Sequence, residues 1–144
     1  MFKIPKVTMI RENVLELESR DCSGPRQVWE VAKLLITEKD KESFWVFMIT
    51  ARNRLAGVHM VSLGTLTASL VHPREFFRPA LVSAAAGVIA VHNHPSGDCR
   101  PSAEDRAATQ RLVKAGRILG VPLLDHVIVS DESCYSFRED GAME

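Results

Sequence analysis

From Gly87 to Val91 the chain reads GVIAV without a polar interruption, and His92 follows directly. A strand with one wet face alternates apolar and polar residues. An unbroken apolar run this short instead marks a strand covered on both sides, which places it inside a sheet flanked by helices. A Pro/Gly-rich loop follows, and from Ser102 the apolar spacing Ala107, Ala108, Leu112, Ala115, Ile118, Leu119 is helical, with Gly120 and Pro122 marking its end. The unit is therefore strand, loop, helix, and the loop after an interior strand is where α/β folds commonly carry their chemistry.

The remaining segments extend this pattern. KVTMI, residues 6–10, reads as a first strand; Ser23 reads as the N-cap of a helix with Pro25 at an early position and Val28, Val31, Leu34 and Leu35 on its apolar stripe. SFWVFMIT and LAGVHMVSL, joined by the turn-like ARNR, read as a hairpin. A second helix begins at Pro73 and runs through HPREFFRPALVSAAA, with a kink expected at Pro79. DHVIVS and CYSF complete the set as two short strands. The expected fold class is α/β, a mixed β-sheet flanked by helices. Residues 1–24 are expected to be an N-terminal strand or extension, 25–138 the domain, and 139–144 a C-terminal tail.

Charge and cysteine content narrow the function. Eighteen basic and eighteen acidic side chains cancel, so no overall field draws in a polyanion and no nucleic-acid patch is evident. Cys22, Cys99 and Cys134 form no Cys-x-x-Cys pair, which argues against a disulfide framework and against a four-cysteine zinc module. No stretch approaches the ~18 apolar residues of a membrane span, and the charged N-terminus lacks the apolar core of a signal peptide. A cytoplasmic location without membrane contact is the default expectation.

The loop carries the chemistry. His92 and His94 stand two apart on an extended segment, so both imidazoles project to one side. Asp105, in the first turn of the following helix, supplies a carboxylate; two imidazoles and one carboxylate leave a position open on a tetrahedral zinc, as a catalytic centre requires. The same residues also fit a blander description, because Ser102-x-x-Asp105 has the form of a capping box that ties down the first amides of a helix. A non-haem iron centre uses the same ligand types. A zinc nucleoside deaminase does not fit, since its Pro-Cys-x-x-Cys and its acid two residues after a ligand are both missing.

The pattern His92-x-His94-Pro95, six residues, then Ser102-x-x-Asp105 resembles the signature of JAMM (MPN-plus) metalloproteases. The flanking text GTLTASLVHPREFF, VHNHPSGD and GVPLLDHVIV is similar, more narrowly, to the RadC-like branch of that superfamily, over roughly residues 25–138. The resemblance implies a cytidine-deaminase-like α/β fold, one zinc ion held by His92, His94 and Asp105, Ser102 as a hydroxyl donor near a developing oxyanion, and hydrolysis of a peptide or isopeptide bond in a protein or peptide partner. Relatives of this kind also use an upstream glutamate as general base. Counting back five residues from Gly64, where RadC-like sequences usually carry it, reaches His59 instead.

Three roles are open to His59: a replacement base, a fourth metal ligand that would close the site, or a strand residue with no role. Glu75 has motif context but better serves the start of its helix. His72 reads as a helix-entry residue, and Trp29 and Trp45 as core. Asp125 and His126 can form a pair that orients a ligand histidine through its free ring N–H, or can satisfy backbone at a strand end. Cys99 lies close enough in sequence to approach the metal, or has no role. Two functions follow: a zinc metallohydrolase of JAMM type, or a non-catalytic RadC-like metal-binding or scaffold module, kept open by the absent glutamate. The historical association of RadC-like proteins with DNA repair finds no support in the balanced charge.

Overall fold

The computed structural model describes residues 1–11, 14–64 and 71–143. Its elements run α1 (Pro25–Leu35), β1 (Glu42–Ile49), β2 (Leu55–Gly64), α2 (Pro73–Ser83), β3 (Gly87–Asn93), α3 (Ala103–Leu119), β4 (Leu123–Val129) and β5 (Cys134–Ser136). The five strands form one sheet in the order β2-β1-β3-β4-β5. β3 is parallel to β4 and every other neighbour is antiparallel, so the sheet is mixed.

The unbroken run at Gly87–Asn93 is the central strand, buried along its whole length. Its two faces feed two cores. Val88 and Ala90 pack with Phe44, Val46, Met48, the α2 residues Phe76, Phe77 and Ala80, and the α3 residues Ala108 and Leu112. Ile89 and Val91 pack on the other side with Phe47, Ile49, Val127 and the α1 residues Val28, Val31 and Ala32. The result is three layers, with α1 on one face and α2 and α3 on the other. Apolar burial of this kind contributes about 25 cal/mol per Å² and is what makes both faces of β3 apolar in sequence.

β1 and β2 form the expected hairpin. α2 continues through Pro79 and stops at Ala84, whose backbone is left-handed (φ 54°). α3 opens with the full capping box of Ser102 and Asp105 and ends at Gly120, also left-handed (φ 74°). Two expectations are corrected. Residues 6–10 are not a strand: the segment joins no sheet and is mostly exposed, and alternation alone gives no ladder without a partner strand. The N-cap of α1 is Gly24 rather than Ser23, because the Ser23 hydroxyl is drawn back to the Asp21 carboxylate at 3.1 Å and makes no cap. Most of the GTL segment, residues 65–70, lies outside the described residues. Among the described residues no helix is long and apolar enough to cross a membrane.

Candidate metal centre

β3 is parallel to β4, so the chain must cross over after it, and α3 is that crossover. The loop between them carries His94 just past the strand end and delivers Asp105 in the first turn of the helix. Alternation along the strand puts His92 and His94 on the α3 face. Their Nε2 atoms stand 3.0 Å apart. Asp105 closes the triangle, with Oδ1 3.2 Å from His92 Nε2 and Oδ2 3.1 Å from His94 Nε2. The three residues expected to hold the metal are therefore brought together.

A fourth ligand-type atom was not foreseen. Glu42, the first residue of β1, places Oε1 3.5 Å from His92 Nε2. Glu42, His92, His94 and Asp105 each offer one atom to a group lying within 4.8 Å of one another. β1 runs antiparallel beside β3 with Phe44 opposite His92, and continuing that ladder two residues brings Glu42 level with His94. A carboxylate beyond Asp105 thus stands beside the imidazoles, on β1 rather than at the β2 position of His59. The signal for it was an acid at the head of the apolar run SFWVFMIT; what sequence could not give was that this strand lies beside β3.

His59 is correspondingly displaced from the chemistry. It is exposed on β2, opposite Val46, four residues into the strand from Glu42 and one strand further from the imidazoles. Four residues of strand are about 13 Å. That is too far for His59 to take a proton from anything held by His92 and His94, or to bind the same ion. Glu75 pairs with Arg78 at 2.7 Å on the surface of α2, and His72 caps that helix by accepting the Arg74 N–H at 3.0 Å. Cys99 is buried and donates to the Ser133 carbonyl at 3.4 Å, away from the group. Trp29 and Trp45 are half-buried against the α1-side core and donate their indole N–H groups to the Ser130 carbonyl and the Ser43 hydroxyl.

Hydrogen bonds fix the protons on both imidazoles. The Thr109 hydroxyl donates to the Asp105 carbonyl at 2.8 Å, so it must accept from His126 Nδ1 at 2.6 Å. His126 then has only Nε2 left as an acceptor, and His92 Nδ1 donates to it at 2.8 Å. His94 Nδ1 likewise donates to the Asp98 carbonyl at 2.7 Å. Both Nε2 atoms therefore present lone pairs to a carboxylate and to each other. Lone pairs facing at 3.0 Å repel unless something positive sits among them. The donor set, two imidazoles and carboxylates with their other ring nitrogens anchored, fits a divalent cation of the zinc class.

Electrostatics agree. Burial pushes the Asp105 carboxyl up, but in the metal-free protein, where protons on the imidazoles at its oxygens take the place of a cation, their N–H donation outweighs this and holds it far below the ordinary carboxylate range. Burial pushes His94 down, and the Asp105 carboxylate with the Asp98 carbonyl more than offsets it, so the ring binds a proton more tightly than an ordinary histidine. That proton occupies the place a cation would take. His126 is fully buried, and burial together with the neighbouring His92 keeps it neutral. Burial raises Glu42 towards neutrality, against the pull of the two imidazoles.

Ser102 serves two purposes without conflict. Its oxygen accepts the Asp105 N–H at 3.1 Å while its backbone N–H donates to Asp105 Oδ2 at 2.9 Å. Capping uses a lone pair, so the hydroxyl proton is left for another acceptor. Ser102 lines a cavity of about 270 Å³ with Glu42, His94, Glu104 and Asp105. The Asp125–His126 pair divides its work: His126 orients His92, whereas Asp125 accepts from the backbone N–H groups of His126 and Arg138 and from the Ser136 hydroxyl, tying β4 to β5.

Comparison with known proteins follows the same lines. The RadC-like JAB domain family model matches residues 22–142. A UPF0758 protein of Symbiobacterium thermophilum is 46% identical over 134 residues, which are 93% of this chain and 57% of that protein. One of Methanosarcina mazei is 41% identical over 130 residues, 90% of this chain and 57% of that protein. One of Chlorobaculum tepidum is 45% identical over 120 residues, 83% and 54% respectively. The chain thus spans a little over half the length of these relatives.

Proposed function

The chain belongs to the RadC-like JAB domain family, and from that membership and the Glu42-His92-His94-Asp105 group we propose that it is a metal-dependent hydrolase cleaving a peptide or isopeptide bond. His92, His94 and Asp105 would hold one zinc ion. Bound there, zinc supplies a Lewis acid for the scissile carbonyl and a water whose pKa is lowered towards ~7.

The protein's own residues do the rest. Glu42 is the general base: its side chain is only partly exposed, its carboxyl is raised by burial, and a carboxylate nearer neutrality accepts a proton more readily in the transition state. It returns that proton to the leaving amine. Ser102 directs its unspent hydroxyl proton at the oxygen that gains charge, an interaction of little use to the ground state and therefore catalytic. His126 and Thr109 hold His92 in the tautomer that presents Nε2. The convergence of Glu42 on the three other side chains is the single observation that carries this reading, since it supplies an acid beside the imidazoles where His59 offers none.

Zinc-loaded wild type and Glu42→Gln, incubated with a proteome-derived peptide library and an isopeptide-linked lysine substrate and read by mass spectrometry, test it. Glu42→Gln is expected to retain zinc and to lose about 10²–10⁴-fold in cleavage rate. Equal rates in the two proteins would remove Glu42 from the mechanism, and no cleavage by the zinc-loaded wild type would remove the hydrolase.

A further inference from the structure

The residue between the two histidines faces the opposite way. Asn93 is 5% exposed, and alternation along β3 turns its side chain to the α1 face while His92 and His94 take the other. Its Oδ1 accepts the Ser43 backbone N–H at 2.7 Å and the Ser43 hydroxyl at 2.9 Å; its Nδ2 donates to the Lys41 carbonyl at 2.8 Å. These are the two residues that flank Glu42.

The contacts have a geometric consequence. The β1–β3 ladder stops at Phe44 opposite His92, so no strand rung holds Glu42 on the β3 side, while on the β2 side it pairs with Gly64. The Asn93 carboxamide stands in for the missing rungs, taking the N–H on one side of Glu42 and the C=O on the other. With both adjoining peptide groups fixed from the α1 face, an extended chain has to project the Glu42 side chain towards the imidazoles. Only a carboxamide of this length offers an acceptor and a donor at once: a carboxylate would confront the Lys41 carbonyl, and an aliphatic chain would strand both partners. The Ser43 hydroxyl, which also accepts the Trp45 indole N–H at 2.9 Å, is held in turn.

We propose that Asn93 is the positioning residue for Glu42, so that the tripeptide His92-Asn93-His94 sets the metal ligands with one face and the base with the other. This rests on the reading of Glu42 as the group that acts beside the metal. Asn93 touches neither substrate nor metal; it acts through the backbone of residues 41 and 43.

The test uses the full chain loaded with Co²⁺, whose visible absorption reports the surroundings of the metal. Wild type, Glu42→Gln, Asn93→Leu and the double variant are compared, with Ser43→Ala as a milder version that removes one of the three bonds and carries the same comparison if Asn93→Leu does not fold. Asn93→Leu is expected to change the cobalt spectrum in the same direction as Glu42→Gln, to add nothing further in the Glu42→Gln background, and to weaken zinc binding by less than the ~10-fold that loss of a partner of a metal ligand costs. Asn93→Asp, which keeps the acceptor and loses the donor, should recover part of the wild-type spectrum. A purely structural role would lower the unfolding temperature and leave the spectrum of the folded protein unchanged. A wild-type spectrum in Asn93→Leu, or spectral changes that add in the double variant, would overturn the proposal. Failure of the wild type to bind cobalt, or a Glu42→Gln spectrum identical to wild type, would overturn the underlying reading instead and this inference with it.

Discussion

His126 illustrates how one side chain outside the candidate metal centre decides which ring nitrogen a ligand-type histidine presents to it. It is fully buried between the Phe137 ring, stacked at 4.6 Å, and His92, and it accepts the His92 Nδ1 proton only because Thr109 occupies its own Nδ1. Replacing it with phenylalanine preserves the ring and leaves the His92 N–H without an acceptor in an apolar surrounding. Zinc affinity should fall about 10–100-fold, measured by competition with a chromophoric chelator. Thr109→Val, which keeps the volume and deletes the hydroxyl, should do the same in smaller degree. Unchanged affinity in both would show that the tautomer is not set by this chain. At this scale the sequence revealed what adjoining spacing can reveal: His92, His94, Ser102 and Asp105 lie on one strand, one loop and one helix turn. Glu42 belongs to a separate strand, and no local pattern reports which strand will lie beside β3.

Among the elements, those legible in the sequence were the ones whose pattern has a single physical solution. An unbroken apolar run between breakers can only be an interior strand at this length, and Ser102 with Asp105 three residues on is a helix start whatever else it does. KVTMI failed because a strand is defined by its partner and not by its composition. β5, a strand of three residues, was visible as CYSF, yet what fastens it was not: Asp125 is 2% exposed and receives the Ser136 hydroxyl at 2.6 Å and the Arg138 N–H at 3.0 Å. Asp125→Ala would leave these donors without an acceptor at about 1–3 kcal/mol each. Urea denaturation should therefore show a loss of about 2–5 kcal/mol for Asp125→Ala, with zinc affinity close to wild type. A loss confined to zinc affinity would instead assign Asp125 to the metal centre.

For the molecule as a whole, the metal centre links folding to pH. His94 binds its proton more tightly when folded than the ordinary value of 6.5, because the Asp105 carboxylate and Asp98 carbonyl outweigh burial. A raised histidine contributes stability that is complete below the unfolded value and is lost as pH rises through the folded one. Asp105 is held below its ordinary 3.8, so its contribution is present above that value and lost as pH falls towards the folded one. His126, kept neutral by burial, adds a penalty as pH drops below 6.5, where the unfolded ring takes up a proton and the folded one does not. The metal-free protein should therefore be most stable near the ordinary histidine pKa of ~6.5 and weaken on its alkaline side. Zinc held by this group would reverse that alkaline limb. It would replace the His94 proton, so raising the pH would remove its competitor and tighten binding, and a ligand that binds only the folded state stabilises it more the tighter it binds. The gap between unfolding temperatures with and without saturating zinc should accordingly widen from pH 6 to pH 8, and His94→Gln should flatten both the metal-free decline and the widening. A gap of constant size across this range would mean that no proton is displaced, and that the lone pairs of His92 and His94 are not what the cation meets.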